Sequence, residues 1–351
     1  MLKNSLFISS LLIILVACSP STNNNNTANN TSYDLALNKH LYLFEALPTK
    51  ADNPNNISTP EKIELGHILY FDTRLSLTGN NSCNSCHNLA TFGVDNLPTS
   101  EGDNGGFGDR NSPTVLNAAL HSMQFWDGRA KDVEEQAGGP ITNPVEMAIP
   151  SKAFLVERLN NIELYKEWFA KAYPNEENPI TYENVQNSIA CFERELLTPS
   201  RFDKYLNGDE NALTEQEKKG MLSFVLNGCT TCHSGVLLGG NTFQKFGVYE
   251  DFWKAINDEK RDKGLASVTN NTADEFMFKV PSLRNVEHTY PYFHNGSVDS
   301  LEQAVRIMAE LQLNKELSDT EVKNITAFLK SLSGDIPQQY KTEPKELKTQ
   351  L

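Results

Sequence analysis

Cys83-Asn84-Ser85-Cys86-His87 and Cys229-Thr230-Thr231-Cys232-His233 decide how this 351-residue chain is built. Each has the C-x-x-C-H spacing of a c-type haem attachment site. The two cysteines can add to the vinyl groups of one porphyrin, and the histidine that follows turns its ring to the iron. One such match arises by chance now and then. Two, in separate halves of the chain, point to two covalently bound haem c groups. Zinc or disulfide turns are the competing reading. A structural zinc needs four matched ligands, and outside the motifs only Cys18 and Cys191 remain as sulfur donors.

The N-terminus reads as an export leader over residues 1–17. Lys3 is followed by the apolar run Leu6–Val16, which is too short to cross a bilayer. It ends in Leu15-Val16-Ala17-Cys18, which looks like a bacterial lipobox. That likeness implies cleavage before Cys18 and lipidation of its thiol, giving a stable membrane anchor. Ser19 in place of aspartate favours the outer membrane. Residues 18–48 are read as a tether, with 19–32 rich in Ser, Thr and Asn. Export places the chain in the periplasm, where haem c is attached. The net charge of −14 becomes one unit more negative once Lys3 is removed. Such a surface repels nucleic acid and suits a basic partner, such as a small electron-carrier protein. The remaining ~320 residues suit two domains. Cys191 is read as a packed core thiol on a helix.

Helical signals dominate. Thr59-Pro60-Glu61 opens a helix carrying Ile63, Leu65, Ile68 and Leu69. Phe154 to Phe169 spans one or two more, and Val185, Ile189, Phe192 and Leu196 form an apolar stripe. Thr214-x-x-Glu217 and Ser318-x-x-Glu321 are capping boxes, the first leading into a helix that ends before Cys229. Gly334 and Pro337 stop the last helix. Glu101–Arg110 and Gly138–Pro144 read as glycine-rich loops, and Gly235–Val248 has room for a short hairpin. The expected fold is all-α: two cytochrome c-like haem domains with long loops and little β structure. The expected boundaries are 49–197 for the N-terminal domain and 198–335 for the C-terminal domain. A tail, 336–351, is expected to fold back on the N-terminal domain.

The chain resembles the bacterial di-haem cytochrome c peroxidases over nearly all of residues 59–340. The likeness is carried by Glu64-Leu-Gly66, Tyr70-Phe-Asp-x-Arg-Leu-Ser76, Ser82-Cys-x-x-Cys-His87, Asp95-Asn-x-Pro-Thr99 and Arg110-Asn-Ser-Pro-Thr-Val115. It continues in Gln124-Phe-Trp-Asp-Gly-Arg129, Gly139-Pro-Ile-x-Asn-x-Val-Glu146, Pro291-Tyr-Phe-His-Asn-Gly296 and Phe328-Leu-Lys-Ser-Leu-Ser-Gly334. The resemblance implies an enzyme that reduces hydrogen peroxide with electrons from a small cytochrome c or cupredoxin. Two electrons are needed; one haem supplies one, and a second haem of high potential stores the other. Methionine opposite histidine raises a haem potential. Met308 matches the axial methionine of the C-terminal haem, beside His233, with Met277 as competitor. His87 then serves the N-terminal haem, the peroxide site. There Glu146 matches the acid–base glutamate, Gln136 a neighbouring glutamine and Phe125 a pocket wall. Trp126 matches a tryptophan between the haems, an electron relay. Asn111, Thr289 and Pro291 match an interdomain calcium site of oxygen ligands. The resemblance also implies a homodimer.

One departure stands out. Many family members close the N-terminal haem in the oxidised state with a distal histidine. Counting along the loop puts Asp103 there, and no histidine occurs from 88 to 120. The expected consequence is a permanently open haem. The alternative is a ligand supplied by a loop shift, with His121 the nearest histidine. His288 and His294 are read as supporting or interface groups, and His40 and His67 as surface or packing residues. Two rival functions remain. A peroxide-using relative that oxidises a protein or organic substrate would have tyrosine in place of Met308. A non-catalytic di-haem carrier would have no need of Glu146 and Gln136.

Overall fold

Helix α1, Pro60–Phe71, starts where Thr59 Oγ1 accepts the Lys62 N–H and Pro60 takes the first turn. The computed structural model describes residues 35–348, so the leader, Cys18 and the polar stretch up to residue 34 lie outside the described residues. The described residues from His40 onward form one compact unit by their contacts, and both haem motifs belong to it. Further helices are α2 (Val133–Thr142), α3 (Lys152–Asn160), α4 (Glu163–Ala172), α5 (Tyr182–Glu193), α6 (Arg201–Leu206), α7 (Glu215–Asn227), α8 (Leu301–Leu313) and α9 (Asp319–Lys330). Both capping boxes form, at Thr214/Glu217 and Ser318/Glu321. None of the described helices is long and apolar enough to cross a membrane. Among the described residues the fold is all-α apart from one two-stranded sheet.

Two glycines set the packing. A Cβ on Gly66 of α1 would sit 1.9 Å from the Ser188 carbonyl oxygen on α5, and one on Gly220 of α7 would sit 1.8 Å from the Asn324 oxygen on α9. Only glycine permits these helices to cross so closely. Around the first crossing, Leu65, Ile68, Leu69, Val185, Ile189 and Phe192 are wholly buried. Each such side chain contributes roughly 1.5–3 kcal/mol of transfer free energy. Ile336, Leu347 and the partly buried Tyr340 lie on this same core. Around the second crossing, Phe224 and Phe328 pack ring against ring, and Phe202 joins Phe328.

Three expectations are corrected. Residues 43–47 are not a free tether. Phe44 inserts its ring beside Phe202 and Phe328, the Leu43 carbonyl accepts the Gly235 N–H, and the Leu47 N–H donates to Asp203. Gly235–Val248 holds no hairpin of its own. Its strand β1, Phe243–Lys245, pairs antiparallel with the distant β2, Met277–Lys279. Gly138–Pro144 is not a loop throughout, because α2 runs to Thr142. Gly138 is there for close packing: a Cβ would meet Gln186 Nε2 at 2.4 Å, and the Tyr182 hydroxyl donates to the Gly138 carbonyl at 2.5 Å. Pro140 is tolerated so near the helix end, where its carbonyl accepts the N–H groups of Asn143 and Met147.

Candidate functional site

The two haem motifs adopt one local geometry. In each, the histidine N–H donates to the carbonyl of the first cysteine, at 2.9 Å for both His87→Cys83 and His233→Cys229. That bond closes the turn that joins both cysteines to the histidine. The first motif is a single helical turn, Cys83–Cys86, opened by the Ser82 N–H donating to Ser85 Oγ. The second follows α7 directly. Gly228, at φ 96°, ends that helix in the left-handed region and starts the turn Cys229–Thr231.

His233 faces a cavity of about 390 Å³ whose lining is largely apolar and includes Cys229, Cys232 and Met308. His233 is buried, and its Nδ1–H donates to the Leu238 carbonyl at 2.9 Å. That bond fixes the ring and leaves Nε2 as the ligating nitrogen. Met308 lies on α8, while Met277 sits in strand β2 opposite Lys245. His87 is held from behind by the Tyr70 hydroxyl, which donates to its carbonyl at 2.6 Å. The backbone of Pro113 and of Gly93 lies beside its imidazole. Burial lowers the pKa of both imidazoles, keeping them neutral as ligands must be. Paired thiols, a neutral buried imidazole and an apolar cavity fit haem c. His87, Cys83 and Cys86 would hold the first; His233, Met308, Cys229 and Cys232 the second.

Glu146 is half-buried in the turn after α2, its carboxylate accepting from Asn143 Nδ2 at 2.7 Å. Burial pushes its carboxyl above 4.5, opposed by the Arg129 charge and the Asn143 bond. It lies within electrostatic reach of Cys86. Gln136 is half-buried on α2. Phe125, at φ 66°, turns its ring to Gly139 on that helix; the next residue, Trp126, faces the second cavity and donates from Nε1 to the Asn111 carbonyl at 2.9 Å. Asp103 accepts from Ser76 Oγ, Thr78 Oγ1 and the N–H groups of Thr78 and Asn80, at 2.7 to 3.1 Å. Burial works against its charge, but those bonds outweigh burial and hold its carboxyl low. Its own N–H donates to the Glu146 carbonyl at 2.7 Å. His121, the alternative ligand, lines the second cavity instead, beside Lys279. Asn111, Thr289 and Pro291 all line that cavity, and Asn111 Nδ2 donates to the Leu97 carbonyl.

The family profile described as di-haem cytochrome c peroxidase matches residues 60–211. The cytochrome c551 peroxidase of Nitrosomonas europaea is 47% identical over 83% of this chain and 84% of its own. That of Pseudomonas aeruginosa is also 47% identical, over 82% of this chain and 83% of its own. This chain belongs to the di-haem cytochrome c peroxidase family. The crystal structure of a MauG-like protein associated with microbial copper homeostasis has the same fold. Its TM-score is 0.76 at 28% identity, covering 86% of this chain and 98% of that one. As a member of its family the peroxidase is an enzyme with two haem c groups.

Sequence reading missed the charged frame around Trp126 in this peroxidase. Arg110 donates to Asp127 at 2.6 Å and, through two nitrogens, to Asp262 at 2.6 and 2.8 Å. Asp127 also holds Arg129, whose guanidinium lies 3.4 Å over the Phe125 ring. Asp258 bonds the buried His294 at 3.1 Å, and the His294 carbonyl accepts the Asn111 N–H. Arg110, Asp127 and Arg129 stood inside quoted motifs; Asp258 and Asp262, more than a hundred residues on, carried no local signal. His288 stacks on Phe92, ring centroids 3.7 Å apart, and Asn96 donates to the carbonyls of His288 and Tyr290. His67 stacks on Phe192 in the core, and the Cys191 thiol is buried beside Asn56.

Proposed function

We propose that this peroxidase reduces hydrogen peroxide to two waters with electrons from a small cytochrome c or cupredoxin, and needs no prior reductive activation. When bound, the two haems would supply the two electrons that the reduction needs. The N-terminal site is the peroxide site, and the C-terminal site takes electrons in. The ionised Glu146 carboxylate would accept a proton from one peroxide oxygen and return it to the other, so that the second leaves as water. Asn143 orients that carboxylate. Gln136 gives a second polar group beside it, and Phe125 walls the pocket. Trp126 relays electrons from the second site. Met308, on the same cavity as His233, keeps the second haem at high potential. Asn111, Thr289 and the Pro291 carbonyl take one calcium ion between the halves. Lipidation at Cys18 would hold the enzyme at the outer membrane, in the periplasm, as a homodimer.

The observation that carries this reading is the double use of Asp103. Its carboxylate is saturated by Ser76, Thr78 and Asn80, and its backbone holds Glu146. The loop that could bring a sixth ligand instead braces the acid–base group. The test is steady-state peroxide turnover with reduced cytochrome c, on enzyme never exposed to reductant. Immediate turnover supports the reading. Silence until reductant is added overturns the open site, and silence in both states overturns the activity.

A further inference from the structure

The second cavity has an unmatched cation in its wall. Lys279, the last residue of β2, lines it and is 5% exposed. Its Nζ lies 2.7 Å from His121 Nδ1, and among the described residues no carboxylate pairs with it. Burial alone lowers its pKa to about 8, with no acidic group to raise it again. His121 brings no counter-charge: burial and the Lys279 charge push its own pKa well down, so it acts as a neutral acceptor. Placement is firm. The Lys279 N–H donates to the Trp126 carbonyl at 2.8 Å, and the His121 ring packs against Gly240, where a Cβ would lie 3.4 Å from its Cγ.

A buried ammonium facing an apolar cavity is costly unless an anion meets it. The group that fits this cavity carries two carboxylates. They hang from the porphyrin edge opposite the vinyl groups that Cys229 and Cys232 would hold at the end of α7. The strand pair bearing Lys279, tied to Trp126, forms another wall of the same cavity.

We propose that Lys279, braced by His121, is the cationic seat of one carboxylate of the second haem, and that this ion pair raises that haem's reduction potential. The inference rests on His233 and Met308 holding that haem, as proposed for this peroxidase. A free carboxylate near the iron favours the oxidised state; an ammonium paired with it removes that preference. Lys279 is therefore a positioning residue for an electron-storing site.

The test uses the full holoenzyme and two readouts other than turnover. Anaerobic redox titration of Lys279→Met should shift the second haem toward the oxidised form by about tenfold in its one-electron equilibrium, or 59 mV for a single electron. Lys279→Arg should stay near wild type. The haem carboxylate bending band in resonance Raman should move in Lys279→Met and not in Lys279→Arg; Lys279→Gln substitutes if the methionine variant does not mature. An unmoved potential and bending band, with the near-infrared His/Met band intact, overturn the inference and leave the peroxidase reading standing. Absence of that His/Met band in the wild type overturns the placement of Met308 on which the inference rests, and leaves the peroxidase activity to its own assay.

Discussion

In the N-terminal half, Gly66 lies under the Ser188 carbonyl with the Phe192 Cβ next to it. In the C-terminal half, Gly220 lies under the Asn324 carbonyl with the Phe328 Cβ next to it. Each half also carries a C-x-x-C-H turn closed by the same histidine-to-cysteine hydrogen bond. The halves part in what else stands near the motif. The second cavity presents Met308 from α8, a soft, apolar donor on a regular helix. The first half has, in the turn after α2, a carboxylate held by Asn143 and braced by Asp103. One turn geometry is used twice to attach the cofactor; in the proposed function, Met308 in one half and Glu146 in the other divide electron storage from peroxide chemistry.

The sharpest way to break this comparison is Glu146→Gln. The amide keeps the shape and loses the proton exchange, so peroxide turnover should fall by about 10²–10⁴. Haem content and the His/Met band should stay unchanged, because Glu146 serves only the first half. Full activity in the variant, measured with reduced cytochrome c, would remove Glu146 from the mechanism.

Much of this contrast was legible in the sequence because its signals are local. Thioether chemistry forces cysteines and histidine into one pentapeptide, and capping boxes such as Thr214/Glu217 act over three residues. What escaped is non-local. Phe243–Lys245 finds its strand partner at Met277–Lys279, and Lys279 finds His121 across 158 positions. Glycine misled in one place: Gly138 reads as a loop signal, yet its missing side chain lets α2 close on Gln186. The saturation of Asp103 could not be read either, since its partners Ser76, Thr78 and Asn80 stand more than twenty residues before it.

Gly66→Ala and Gly220→Ala test whether the two crossings are equivalent. An added methyl must push a helix carbonyl aside, and each variant should lose about 1–3 kcal/mol of stability. Thermal unfolding of the holoprotein should give similar losses for both. A loss confined to one variant would show that the halves share a shape but not a packing constraint.

A smaller effect is expected in the pH profile. In the proposed mechanism Glu146 acts as a base when ionised, and burial holds its carboxyl above 4.5 against the pull of Arg129 and Asn143. Turnover should therefore rise with pH through a midpoint above that value. Arg129→Met removes one of the two opposing influences, so the midpoint should move to higher pH. Arg129 is exposed and screened by solvent, which keeps the shift modest. A midpoint that moves down, or stays fixed, would detach Arg129 from Glu146.

The smallest effect is the most discriminating. If the first iron is open in the fully oxidised enzyme, reduction before assay should leave the initial rate nearly unchanged. An electron-spin-resonance spectrum of the all-ferric protein should then contain a high-spin signal beside the low-spin His/Met one. Asp103 is what makes this expectation physical: moving it toward the iron would break its hydrogen bonds to Ser76, Thr78 and Asn80 and release the Glu146 carbonyl. Leaving a buried carboxylate without those donors costs about 1–3 kcal/mol or more for each group left unpaired. Two low-spin signals and a large gain on pre-reduction would mean that another residue reaches the first iron. The two halves would then differ in their response to electrons and no longer in how many ligands they hold.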